Sequence, residues 1–158
     1  MITEFQNMDL AKGHPIQNYL DETLLIQSIA DNLIQVDINN DFQRFYNLFN
    51  QLATIEKRFE RKENQLFPFL EQKGWTGPSQ NMWSFHDIIR QIFRIVRQNI
   101  EDKNLSSAKH NTELAIQNIN RLLEVEETVL FPNALEISSD DEWKVMRKGE
   151  DQIGWMLA

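Results

Sequence analysis

The sequence predicts an all-α fold, an up-down-up-down four-helix bundle with a short C-terminal helix. Three observations carry that reading. Apolar residues recur at three- to five-residue steps through four long stretches. The five glycines and four prolines fall between the periodic stretches. And the run ERKENQLFPFLE at 60–71 returns as EVEETVLFPNALE at 124–136. An acidic helix end followed twice by Leu-Phe-Pro is what two copies of one helical hairpin would show.

Residues 1–13 form a weakly patterned lead-in, and residues 14–158 form the bundle domain. His14-Pro15 opens the first helix, with proline at the first helical position, where its missing N–H costs nothing. Ile16, Leu20, Leu24, Ile29 and Leu33 line one face of it. A turn at 37–40 leads to Asp41, a suitable N-cap for a second helix. That helix carries Phe45, Leu48, Phe49, Leu52, Ile55, Phe59 and Leu66 inward and runs slightly past Pro68.

Gly74-Trp75-Thr76-Gly77-Pro78 reads as a loop. A third helix follows from about Ser79, with Met82, Phe85, Ile89, Ile92, Phe93, Val96 and Ile100 apolar. Residues 102–104 break it, and Ser106 or Ser107 caps a fourth helix through Leu114, Ile119, Leu122 and Leu123 to Leu130 and Phe131. Ser139 and Glu142 have capping-box spacing ahead of a final helix, Trp143 to Lys148, which Gly149 stops.

A chain of 158 residues makes one domain with room for a real core. A net charge of -8 and a pI near 4.9, without any basic cluster, exclude nucleic acid as a partner. The absence of cysteine excludes disulfides, thiolate metal sites and cysteine nucleophiles. It suits a cytoplasmic protein. No apolar run is long enough to span a membrane. No Gly-rich phosphate loop or nucleophile motif is present.

Antiparallel order places the start of the first helix, the end of the second, the start of the third and the end of the fourth together. Those ends carry His14, Glu63, His86 and Glu127. Two imidazoles and two carboxylates make an N/O donor set suited to iron, manganese or zinc rather than copper(I). The plainer readings stand beside it. Glu63 and Glu127 could be solvated helix-end charges, His14 a polar cap, and His86 a surface residue beside Asp87. His110 sits early on the fourth helix and reads as surface.

At His14-Pro15-Ile16, RKENQLFPFLE from Arg61, GP..NMW..HD.IR from Gly77, EE..LFP from Glu126 and EW...R.GEDQIGW from Glu142, the chain resembles the hemerythrin-like HHE cation-binding family. The likeness is closest to the branch whose HHE domain often precedes a PAS sensor domain. The resemblance runs from about His14 to Trp155. It implies a four-helix bundle around non-haem iron, one or two ions, binding or sensing dioxygen, nitric oxide, redox state or iron itself. A downstream sensor domain or a homodimer is the implied protein partner.

Two departures bear on that implication. Relatives usually carry a His-aromatic pair just before the RKEN run, where this chain has Arg58-Phe59, and a further His where it has Leu122 and Leu123. A guanidinium near two carboxylates could neutralise them and take the space of a metal, which makes Arg58, with Glu60 nearby, the outer residues to watch. Three readings follow: a metal-binding sensory domain; a metal-free bundle serving as an interaction or dimerisation module, with no cofactor; and a di-iron oxidoreductase or repair protein, which the reduced ligand set argues against.

Overall fold

The computed structural model describes Leu10 and residues 13–157; of the lead-in at 1–13, residues 1–9, 11 and 12 lie outside the described residues, as does Ala158. Among the described residues every regular element is helical: α1 (Pro15–Gln35), α2 (Phe42–Ala53), α3 (Ile55–Arg61), α4 (Phe67–Gln72), α5 (Gly77–Glu101), α6 (Leu105–Val125), α7 (Phe131–Ile137) and α8 (Asp140–Ile153). Two π-helical turns, Lys62–Leu66 and Glu126–Leu130, join α3 to α4 and α6 to α7.

The helix starts follow local chemistry. The His14 ring Nδ1 accepts the Ile16 N–H at 3.0 Å ahead of Pro15, satisfying a donor that the first turn leaves over. Asp41 caps α2 through the Arg44 N–H. Ser139 and Glu142 close a reciprocal capping box on α8. The α6 cap is Asn104, whose side chain accepts the Ser107 N–H, rather than Ser106 or Ser107. Residues 77 and 78, expected in a loop, already belong to α5, with proline in its first turn.

Two further boundaries differ from expectation. The expected second helix is interrupted at Thr54, whose N–H bonds back only three residues to Gln51, and it widens into the first π turn. The final helix runs through Gly149 and stops at Gly154, where φ is +104°. Gly149 continues the helix, and Gln65 lies against it. A Cβ there would clash with the Gln65 side-chain amide.

The two π turns occupy the two Leu-Phe-Pro copies. Phe67 N–H bonds to Lys62 O, and Phe131 N–H bonds to Glu126 O, five residues back in each case. The wider turn re-phases the helix ahead of a proline that lacks its own N–H. It thereby buries adjacent residues together, Lys62 with Glu63 and Glu126 with Glu127.

Aromatic and aliphatic side chains from every helix fill the core, among them Ile16, Phe45, Phe49, Phe59, Val96, Ile119 and Phe131, all fully buried. The long α5 and α6 fold back on one another across a turn at 102–104 and pack along their length. α8 covers α3 and the first π turn and reaches α1. Leu24, expected on the core face of α1, is 56% exposed. No helix among the described residues is long and apolar enough to cross a membrane.

Candidate functional site: a buried ion-pair cluster

The polar centre of the molecule lies where α1, α3, the two π turns and α5 meet. Arg58 leaves α3 with no solvent exposure. Its Nη1 donates to the Tyr19 carbonyl at 2.8 Å and to Glu22 at 3.3 Å; its Nη2 donates to the Thr23 hydroxyl at 3.0 Å and to Glu126 at 2.7 Å. The other Glu126 oxygen takes the ammonium of Lys62. Arg61 bonds Glu22 and the Gly154 carbonyl. Three cations and two carboxylates are thus tied across four segments of the fold.

Burial alone would suppress every one of these charges. It works against the Arg58 charge, but Glu126 and Glu22 more than offset it and hold that pKa above its ordinary value. Burial would raise Glu126, and Arg58 and Lys62 outweigh it, so its pKa falls below the usual carboxylate range. Lys62 is the weak member. Its desolvation exceeds the pull of Glu126 and brings the ammonium down to about 8.

A second group adjoins the first. His86, fully buried, places Nδ1 2.7 Å from Glu63 Oε2. Arg90 holds both Glu63 oxygens at 2.9 Å and reaches Glu56 and Asp87. The imidazole stacks on Phe59 with ring centroids 4.1 Å apart, with Phe67 beyond at 6.0 Å. Burial and the nearby Lys62, Arg90 and Arg58 charges push its pKa far below the ordinary value, so the ring is neutral. Its Nε2 is buried without a hydrogen-bond partner.

Of the four residues expected to share a site, the structure joins two, His86 and Glu63. His14 is half-buried; its Nδ1 is committed to the helix cap and its ring lies 4.8 Å from Trp143. Glu127 is buried and lines a groove of about 570 Å³ with Gln27, Asp31, Asn120, Leu123, Glu124 and Thr128. Among the described residues no group of three or more His, Asp or Glu is placed to hold a metal ion. The donors themselves do not fit one either. Both oxygens of Glu63 and both of Glu126 already accept from arginine or lysine. A divalent cation would also have to settle beside two buried cations, Arg58 and Lys62.

Arg58 does turn inward, but onto Glu22 and Glu126 rather than Glu63 or Glu127. Glu60 pairs at the surface with Lys57 at 3.6 Å. The residues that sequence reasoning missed are Glu22, Arg61, Lys62 and Glu126. One signal for the central pair was present. Aligning the two Leu-Phe-Pro copies sets Lys62 against Glu126, opposite charges at one repeat position.

No protein-family model matches this chain, and no curated protein matches it.

Proposed function

We propose that this chain is an up-down-up-down four-helix bundle, hemerythrin-like in design, in which internal ion pairs stand where relatives hold a metal, and that it works as a metal-free interaction module. The observation that carries the reading is the pair of fully buried cations, Arg58 and Lys62, sharing one buried carboxylate, Glu126. Fixed cations at the centre supply the positive charge that carboxylates would otherwise require of an ion, without exchange or redox chemistry.

A module without a cofactor acts through its surface. Ile88 and Ile95, 48% and 40% exposed, stand seven residues apart on α5, and Leu114 is exposed on its neighbour α6. A seven-residue apolar repeat is the spacing of a helix–helix seam, so a second copy of the chain is the partner this reading commits to.

Two measurements test the parts separately. Elemental analysis after anaerobic reconstitution with Fe(II) or Mn(II) should find metal far below one ion per chain. Uptake of one ion per chain, lost in His86→Ala, would restore the metal-binding sensory reading through the open His86 Nε2. Sedimentation velocity should show a dimer that Ile88→Glu dissociates, and a monomer at all concentrations would remove the dimerisation reading.

A further inference from the structure

α8 is held to the rest of the molecule by matched contacts, with one exception among the described residues of the helix itself. Trp143 and Met146 are buried under it. Lys73 bonds Glu142 at 2.8 Å, and Arg147 donates to the Gly13 carbonyl at 2.9 Å. The segment that follows is pinned too. Arg61 donates to Gly154 O at 2.7 Å and lies over the Trp155 ring, and the Met156 N–H reaches Glu22. The exception is Glu150. It is fully buried on the inner face of α8, and neither carboxylate oxygen has a hydrogen-bond partner.

We propose that Glu150 is a proton-operated latch, which holds α8 and the Gly154–Leu157 segment against α1 and α3 while protonated and releases them when ionised. The groups facing it explain why. From α1 come the Tyr19 hydroxyl, which can donate to the carboxylate and favours its ionised form, and the like charge of Glu22, which opposes it. From α3 comes Arg61, whose Nη1 and Nη2 are given to Gly154 and Glu22 and whose Nε is buried without a partner. From α8 itself comes Arg147, committed to Gly13 and Asp151. An ionised Glu150 therefore sits fully buried with no cation bonded to it, and a buried unpaired charge is strongly disfavoured.

The direction of the pH dependence follows. Burial is the largest influence and lifts Glu150 to about 7 from an ordinary 4.5. The docked state therefore binds the proton more tightly than the released state. Docking is favoured below about pH 4.5 and weakens as pH rises through about 7. Between about pH 5.5 and pH 8.5 the docked-to-released ratio should fall roughly 30-fold. The latch does not depend on whether the core takes a metal.

Hydrogen exchange of the whole chain, read on residues 140–153 and corrected for the intrinsic pH dependence of exchange, measures that ratio. Wild type should lose protection in α8 by roughly 30-fold over that range, while α5 and α6 stay constant. Glu150→Gln, which keeps the shape and cannot ionise, should stay protected throughout. This control also separates Glu150 from His14, which touches α8 at Trp143. Equal pH slopes in wild type and Glu150→Gln would overturn the proposal. A carbon-13 titration of the wild-type Glu150 carboxyl gives a second reading independent of the variant. A midpoint near 7 supports the latch, and one near 4.5 overturns it.

Discussion

Replacing Glu126 with Gln keeps the shape of the side chain and removes the one carboxylate shared by Arg58 and Lys62. The two cations respond differently. Lys62 already sits at about 8, and without Glu126 it sheds its proton at neutral pH. A neutral amine can be disfavoured no further, so its share of the loss is capped at about 1.4 kcal/mol at pH 7. Arg58 has no such escape, since a guanidinium stays charged. It keeps the Tyr19 carbonyl, Thr23 and Glu22 and loses its shortest charged partner.

Breaking one side of a buried pair costs about 3–5 kcal/mol, because the surviving charge is stranded. With an unfolding entropy near 0.33 kcal/mol/K for 158 residues, the melting temperature should fall by about 9–15 °C. Thermal melts followed by far-ultraviolet circular dichroism at pH 7 measure the drop. Adding Lys62→Met to the variant should recover part of it, because a thioether needs no partner there. A loss under about 1 kcal/mol for Glu126→Gln would refute the reasoning. It would mean that the pair is solvated or the core is open.

Three other outcomes follow from named contacts. The Lys109 ammonium caps the end of α1 by donating to the carbonyls of Leu33, Ile34 and Val36 at 2.6–2.9 Å; Lys109→Met should cost about 1–2 kcal/mol in urea unfolding, and a loss within error would contradict it. Gly149→Ala brings its new methyl onto the end of the Gln65 side chain, so the change should gain about 1 kcal/mol of helix propensity only in a Gln65→Ala background; equal effects in both backgrounds would remove the steric argument. The raised pKa of Glu150 means that the folded chain binds the extra proton between about 4.5 and 7. Stability from this group should therefore fall as pH rises across that window and vanish from the pH profile in Glu150→Gln.

What the sequence disclosed and what it withheld divide along a physical line. Helix starts at Pro15, Asp41 and Ser139 were readable because capping is local, involving a side chain and an N–H two or three residues away. Arg58 stood out because a permanent cation occupies a position where an imidazole was expected. Its partners did not, since one helical residue turns a side chain by about 100° and the π turns re-phase the helix where it matters. The choice between Glu126 and Glu127 was therefore not available from spacing. Glu22 looked like any polar residue on an amphipathic helix, and only the approach of Arg58 and Arg61 from α3 explains its burial. Gly149 read as a helix stop for the same reason. The sequence does not show that Gln65 fills the space where a Cβ would go.

In the proposed reading, Arg58 and Lys62 hold the ground a metal would otherwise occupy. Anomalous diffraction from crystals grown anaerobically with excess Fe(II) tests it most directly. No anomalous peak should appear in the core, with Arg58 and Lys62 still bonded to Glu126 and His86 to Glu63. A strong peak beside His86 Nε2, with the Arg58 guanidinium swung away from Glu126, would contradict it.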